Sequence, residues 1–218
     1  MQEILMVVIV FLTTFLLGSI PFGLIISKVF FKTDIRDHGS GNIGTTNAIR
    51  TMGKVGGGSV FLLDFGKGIL SGVIALLVYR FFVADPGVVS VLTANDMLAL
   101  SFLGCVWGHI FSPWLKFHGG KGIAVAVGCA FIAFGVIGAC LELAIFIVLV
   151  LATRYVSVGS IAAAAASPFF SLYFFWGDWP AIVLCSVAGL TVVWAHRENI
   201  KRLLAHNEHR VGEKKESL

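Results

Sequence analysis

Charged side chains are scarce in this chain of 218 residues. They account for 13% of it, whereas hydrophobic residues account for 57%, and the mean hydropathy is +0.92. A soluble domain has about 25% charged and about 45–50% apolar residues. So little polar surface cannot cover a soluble globule, which excludes a soluble enzyme, a secreted disulfide scaffold and a disordered chain. The composition predicts an all-α integral membrane protein with several spans.

Cysteine is also rare, and no motif of metal-binding residues is present. The four cysteines stand apart from one another within apolar stretches, which argues against a disulfide or a zinc site. The sequence has neither a His-x-x-x-x-Asp dyad nor a Gly-x-Ser-x-Gly elbow. We therefore expect no cofactor and no metal, and any chemistry must rest on positioning and electrostatics.

The net charge of +4 does not by itself indicate nucleic acid, because membrane proteins carry Lys and Arg in cytoplasmic loops.

Long apolar stretches occupy most of the chain, and each crossing of a bilayer takes about 20 residues. The run from Gly122 to Thr153 would extend about 48 Å as one helix, so two helices that turn near Gly135–Gly138 are the alternative. The chain therefore has six spans or seven, in a single membrane domain of residues 1–218 with a polar cytoplasmic tail at 205–218. The seven-span prediction is 4–30, 56–83, 97–115, 122–136, 138–153, 157–176 and 179–195.

The distribution of Lys and Arg separates these alternatives. Seven spans place 14 of these residues on one side of the membrane and 1 on the other, whereas six spans remove the asymmetry. Because positive loops stay in the cytoplasm, the count favours seven transmembrane helices, with the N-terminus outside and the C-terminus in the cytoplasm. Three glycine-rich or basic polar segments then lie on the cytoplasmic face, where they can converge on one site.

The first polar segment, residues 37–50, is rich in glycine. It contains the letters Gly-x-Gly-x-x-Gly, but a dinucleotide fold requires a preceding strand, and an apolar span precedes this segment. Glycine lets the backbone approach a ligand closely, and the polar side chains can bind a phosphate or a carboxylate. A flexible loop capped by Asn and Thr is the alternative. The candidate residues here are Ser40, Gly41, Asn42, Thr46, Asn47 and Arg50.

Two further polar segments follow later spans. Gly119, Gly120 and Lys121 open a helix, where free N–H groups beside a cation can hold an anion, although a turn with a cytoplasmic lysine explains them equally well. His196 and Asn199 are at i and i+3 and share one face of a helix. An amphipathic helix on the membrane surface explains the Arg and Lys of this segment, but it does not explain His196 and Asn199.

Ionisable residues also lie inside the predicted spans. Asp64 and Lys67 are at i and i+3 and can form an ion pair, which offsets a cost of about 2.5–3.5 kcal/mol for each charge at a helix centre. Lys67 is also a candidate substrate-binding residue, because charges within spans are often functional. Glu142 lies near the predicted turn and is expected to reach the outer interface. His109 is expected to be buried and hydrogen-bonded.

Five motifs in order resemble those of a known family. They are GSIPFG at 18–23, GSGNIGTTNAIR at 39–50, LDFGKG at 63–68, GHIFSPWLKFHGGKG at 108–122 and HRENIKRLL at 196–204. Over residues 18–208 the chain resembles the bacterial acyl-phosphate:glycerol-3-phosphate acyltransferases, the PlsY family. The chain departs from the family pattern at Thr45, Pro113, His118, Val125 and His206. These departures leave the roles of His118, His206 and Glu208 unassigned.

The resemblance implies an enzyme of the bacterial inner membrane with seven helices and a site that opens to the cytoplasm. The implied reaction moves a fatty acyl group from acyl phosphate to the 1-hydroxyl of glycerol 3-phosphate, which begins phospholipid synthesis. The expected partners are these two substrates and the lipid bilayer, with no nucleic acid, and we expect a monomer. Ser40, His196 and Asn199 are the candidate catalytic residues, whereas Arg50 and Lys121 with its glycines are among those that bind substrate.

An acyl phosphate is already activated, so this chemistry does not require a strong enzymic nucleophile. We expect direct attack by the glycerol hydroxyl without an acyl-enzyme, with His196 or a phosphate oxygen as proton acceptor. The alternative function is a membrane transporter for an anionic metabolite, which also accounts for charges in spans and a basic mouth. Transporters, however, usually hold their site at the midplane between repeated halves, and the sequence has no internal repeat.

Overall fold

A computed structural model describes residues 2–84 and 90–212, and within these ranges the regular structure is helical, with no strand. The last six residues of the predicted polar tail lie outside the described residues. The α-helices are α1 Gln2–Ser19, α2 Phe22–Phe30, α3 Thr45–Val78, α4 Ala94–Ile110, α5 Ile123–Ala133, α6 Gly135–Thr153, α7 Val156–Phe174, α8 Trp179–Ala195 and α9 Arg197–Leu204. A π-helical turn, Tyr79–Val83, extends α3, and short 3₁₀ turns cover Ile35–Asp37 and Pro113–Leu115.

The first predicted span is broken into α1 and α2 at Ile20 and Pro21. Proline has no N–H, so it cannot continue the helical hydrogen bonds of α1. The carbonyls at the break find partners elsewhere in the bundle: Ser112 Oγ donates to the carbonyl of Ser19 at 2.7 Å, and Lys67 Nζ donates to that of Ile20 at 2.9 Å. The break therefore fixes the first span against α3 and the C-terminal end of α4.

Helix α4 lies at the centre of the bundle, and α6 lies at its periphery. Of the most apolar window of each helix, 78% is buried inside the protein in α4 but only 17% in α6. Helix α4 begins earlier than the predicted position 97 because Thr93 and Asp96 form a capping box. The Thr93 side chain accepts from the N–H of Asp96 at 3.0 Å, and the Asp96 carboxylate accepts from that of Thr93 at 2.9 Å. The four cysteines are free.

The apolar run 122–153 forms two helices, with α5 ending at Ala133 and α6 beginning at Gly135. Phe134, between them, is buried among aromatic rings of α4 and α7, including Phe102 and Phe170. Helix α3 is kinked at Gly53, where φ is +73°, so its first two turns belong to the polar segment and the remainder to the apolar bundle. Several helices are long and apolar enough to cross a membrane, which supports the prediction of a multi-pass membrane protein.

Candidate active site

A cavity of about 880 Å³ extends from the polar segments into the interior of the bundle. Its polar entrance, which we call the mouth, is lined by Ser40, Asn42, Thr46, Asn47, Arg50, Lys121, His196, Asn199, Arg202 and Glu208. The mouth thus contains eight of the twelve candidate site residues, drawn from all three polar segments. The other four, Gly41, Lys67, Gly119 and Gly120, do not line the cavity.

Asn47 organises the glycine-rich loop of the first polar segment. Its amide Nδ2 donates to the carbonyls of three loop residues at 2.9–3.1 Å, namely Ile35, His38 and Asn42. Its Oδ1 accepts from the N–H of Ser40 at 3.0 Å. The side chain of Asn47 is buried, so these bonds satisfy polar groups that would otherwise be costly to bury. Asn47 holds the backbone of Ser40 in place and leaves the Ser40 side chain exposed in the mouth.

Arg50 follows the end of the same loop, in the first turns of α3, and lies in the mouth. Asn42 Oδ1 accepts from the N–H of Gly44 at 2.8 Å, an Asx turn that directs the chain into α3. Thr46 and Arg50 are one helical turn apart, and both are exposed and line the mouth. Gly41 ends the turn that precedes this Asx turn, where its N–H donates to the carbonyl of His38 at 3.0 Å.

Gly119 and Gly120 close the C-terminal end of α4. Their N–H groups donate to the carbonyls of Ile110 and His109 at 2.9 and 3.0 Å. A Cβ on either glycine would collide with His109, so only glycine permits this approach. The two N–H groups are therefore engaged with protein carbonyls. Their effect on the site is to fix the position of the next residue, Lys121.

Lys121 is a partly buried cation beside other cations. Burial lowers the pKa of its ammonium group to about 8, and repulsion from Arg202 and Arg50 adds to this effect, whereas Glu208 opposes it. An anion bound among Lys121, Arg50 and Arg202 would relieve this repulsion and stabilise the charged lysine. The electrostatics of the mouth therefore favour a phosphate.

His196 lies between α8 and α9, and its ring is buried. Its Nδ1 is 2.8 Å from the carbonyl oxygen of Val192, so Nδ1 must carry the proton and Nε2 the lone pair. Burial lowers the pKa of this imidazole to about 4, although the Val192 carbonyl opposes the shift. His196 is therefore neutral at pH 7, with an Nε2 that can accept a proton.

Asn199 and Arg202 of α9 both bind Glu208. Asn199 Nδ2 donates to one carboxylate oxygen at 2.8 Å, and Arg202 Nε donates to the other at 2.7 Å. Burial raises the pKa of Glu208, but hydrogen bonds from Asn199 and Arg202 lower it below its usual range. The Oδ1 atom of Asn199 has no partner in the described part of the chain. Sequence reasoning left Glu208 unassigned, and the structure brings it to the mouth.

Lys67 belongs to a separate buried group, which we call the Asp64 cluster and which consists of Asp64, Lys67 and His109. Lys67 Nζ lies 2.9 Å from Asp64 Oδ1, an ion pair without hydrogen-bond alignment, and 3.0 Å from His109 Nδ1. This confirms the predicted ion pair and the predicted hydrogen-bonded His109. Asp64 and His109 line the cavity wall, whereas Lys67 does not.

The prediction that Glu142 reaches the outer interface is wrong. Its side chain is 9% exposed, and it lines the inner part of the cavity. Helix α6 begins immediately after Phe134, and this start places Glu142 toward α7 and α8. Cys140, two residues earlier, is exposed on the same helix.

Comparison with known proteins identifies the family. The family model described as Glycerol-3-phosphate acyltransferase matches residues 8–206. A Glycerol-3-phosphate acyltransferase of Clostridioides difficile is 36% identical over 99% of this chain and 100% of its own length, and one of Rhodopseudomonas palustris is 39% identical over 92% and 93%. The chain is also similar to a crystal structure of PlsY (YgiH), an integral membrane glycerol 3-phosphate acyltransferase, in its glycerol 3-phosphate form. The two structures align with a TM-score of 0.81 at 35% sequence identity, and the alignment covers 94% of this chain and 96% of that one. The chain belongs to the glycerol-3-phosphate acyltransferase family.

Proposed function

We propose that this protein transfers a fatty acyl group from acyl phosphate to the 1-hydroxyl of glycerol 3-phosphate, giving 1-acylglycerol 3-phosphate and phosphate. The observation that carries the proposal is the composition of the cavity. Its mouth combines a cationic group with a neutral histidine, and its interior is mostly apolar. The mouth suits the phosphates of both substrates, and the interior suits a fatty chain.

The cations of the mouth bind the phosphates. Arg50 offers a planar guanidinium that can bind phosphate through two hydrogen bonds, and Lys121 adds a point charge. Ser40 and Asn199 stand at the same entrance with hydrogen-bonding groups, and Asn199 Oδ1 has no partner among the described residues. These side chains can orient the glycerol hydroxyl toward the acyl carbon, and such orientation lowers the barrier without a covalent intermediate.

The chemical step is direct attack by the 1-hydroxyl on the acyl carbon. A new ester C–O bond forms, the C–O bond to phosphate breaks, and phosphate leaves with the bonding electrons. The hydroxyl proton passes to Nε2 of His196 or to an oxygen of the departing phosphate. A donor well placed at the oxyanion is worth about 2.7–4 kcal/mol in such reactions. The mechanism has no acyl-enzyme, and a trapped acyl group on Ser40 would contradict it.

We further propose seven crossings of the bacterial inner membrane in a monomeric, single-domain chain, with the N-terminus outside and the mouth toward the cytoplasm. Within the described residues, five helical stretches have the length and hydropathy of a span. Helix α8, whose 17 residues extend about 26 Å, would be a sixth, and α9 bends away from it by 50°. Helix α5 would be the seventh, but its 11 residues extend only about 16 Å. Local bilayer thinning would accommodate this short helix. The concentration of Lys and Arg in the segments around the mouth supports a cytoplasmic location.

Acylation by the purified protein tests the proposal. In detergent, with acyl phosphate and labelled glycerol 3-phosphate, we expect labelled 1-acylglycerol 3-phosphate to form. We expect Arg50→Ala to reduce its formation by about ten- to a hundredfold, since a hydrogen bond to a charged group is worth about 1.5–3 kcal/mol. Cys140→Ala, at an exposed position of α6, is the control and should retain activity. Flux of glycerol 3-phosphate into liposomes without acylation would instead support a transporter.

A further inference from the structure

The inner part of the cavity is mostly apolar but ends at polar groups. Beyond the mouth it is lined by Phe61, Phe65, Val127, Phe131 and Phe146 among other apolar side chains. Deeper in, the same cavity is lined by Glu142 and Ser167, which are 9% and 3% exposed. A carboxyl group and a hydroxyl at the inner end of an apolar cavity are costly unless something binds them.

Neither group is satisfied by the protein around it. Glu142 Oε1 and Ser167 Oγ have no hydrogen-bond partner within residues 2–84 and 90–212. The carbonyl oxygen of Ala164, another residue of the cavity wall, lacks its helical hydrogen-bond donor, because Pro168 has no N–H. That carbonyl faces α8 at Gly189, where an added Cβ would lie 2.8 Å from it.

The register of α6 and α7 places these groups at one depth. The two helices are consecutive and pack against each other, joined by Arg154 and Tyr155. Glu142 lies eleven residues before the end of α6 at Thr153, and Ser167 lies eleven residues after the start of α7 at Val156. At 1.5 Å per residue, both lie about 16 Å from the connection between the helices. Tyr155 at this connection binds Arg210, which lines the mouth end of the cavity.

We propose that Glu142 and Ser167 form a polar inner end of the acyl-chain pocket and thereby determine which acyl chains the enzyme accepts. This inference rests on the proposed acyl transfer. A saturated chain long enough to reach this depth would bury both polar groups without giving them a partner. A shorter chain stops before them, and a chain with a terminal hydroxyl can hydrogen-bond to them. The wild-type enzyme therefore discriminates against the longer unsubstituted donor.

The test compares three donors: lauroyl phosphate, palmitoyl phosphate and the ω-hydroxy derivative of palmitoyl phosphate. Glu142→Met replaces the carboxyl with an apolar side chain of similar length. We expect it to raise the ratio of kcat/KM for palmitoyl over lauroyl phosphate by about tenfold, because an unsatisfied buried group is removed. The same variant should lose any preference for the hydroxylated donor over palmitoyl phosphate. Glu142→Gln keeps a hydrogen-bonding group and should retain the wild-type preferences.

Ser167→Ala provides a second measurement, with an expected shift in the same direction and of smaller size. Cys140→Ala controls for changes on α6 and should leave the donor ratio unchanged. Active Glu142→Met and Ser167→Ala enzymes with wild-type donor ratios would overturn the inference. Unfolding of Glu142→Met would overturn it as well, because it would mean that the carboxyl is needed by the protein. If the wild-type enzyme acylates glycerol 3-phosphate with none of the donors, the proposed function itself fails.

Discussion

The mouth and the Asp64 cluster are two polar groups on one cavity, and they differ in how their charges are compensated. In the Asp64 cluster, Lys67 contacts a carboxylate, a histidine and a backbone carbonyl, all of them inside the protein. In the mouth, Arg202 pairs with the carboxylate of Glu208, whereas Arg50 and Lys121 line the cavity without an ion pair in the described part of the chain. The paired charges therefore hold the helices together, whereas the mouth keeps positive charge available for substrate.

Removing the buried cation Lys67 tests whether the paired charges stabilise the protein, and it has the largest expected effect. Lys67→Met leaves Asp64 charged and without its ion pair at a site where both side chains are at most 2% exposed. The loss of one partner of such a pair costs about 3–5 kcal/mol, so the thermal midpoint in detergent should fall sharply. The same substitution in the mouth, Lys121→Met, should weaken glycerol 3-phosphate binding with a much smaller change in midpoint. Equal losses of stability would mean that the two groups do not differ as described.

The pH dependence of kcat/KM tests whether the positive charge of the mouth serves the substrate. The pKa of Lys121 is lowered to about 8, so the lysine is charged below that pH and loses its charge as the pH rises through it. The pKa of His196 is about 4, so its Nε2 is available above that pH. We expect a plateau between these values and a fall above about pH 8, which approaches tenfold per pH unit if the charged lysine is required.

Lys121→Arg is the matched variant for this profile. An arginine stays charged throughout the range, so the fall above about pH 8 should disappear while the acidic side is unchanged. An alkaline limb that persists in the arginine variant would assign it to another group.

Much of the mouth could be predicted from the sequence, because its residues stand beside the ends of apolar spans. Residues such as Ser40 and His196 interrupt hydrophobic stretches, and the spans bring such interruptions to one face of the membrane. The membrane-protein class follows from composition in the same way, since a soluble fold cannot hide so much apolar surface.

The remaining features depend on contacts between distant segments. The N–H groups of Gly119 and Gly120 look free in the sequence, but the end of α4 supplies their acceptors. The direction of Glu142 depends on where α6 begins, because one residue turns a helix by about 100°. Helix α6 is apolar on nearly every side, so the sequence has no polar face that would indicate this direction.

The smallest expected effect concerns Glu208, the carboxylate of the mouth, which joins Asn199 to Arg202 across the end of α9. Glu208→Gln keeps the shape and an acceptor for Asn199 but removes the charge opposite Arg202. Because Arg202 is 36% exposed, solvent screens this pair, and we expect the loss to be worth about 1 kcal/mol, or about fivefold in kcat/KM. The loss should appear mainly in kcat if Glu208 positions Asn199 for the reaction. Glu198→Gln removes an exposed carboxylate from the same helix, and as the control it should change neither constant. A Glu208→Gln enzyme that instead binds glycerol 3-phosphate more tightly at unchanged kcat would mean that Glu208 competes with the substrate phosphate for Arg202.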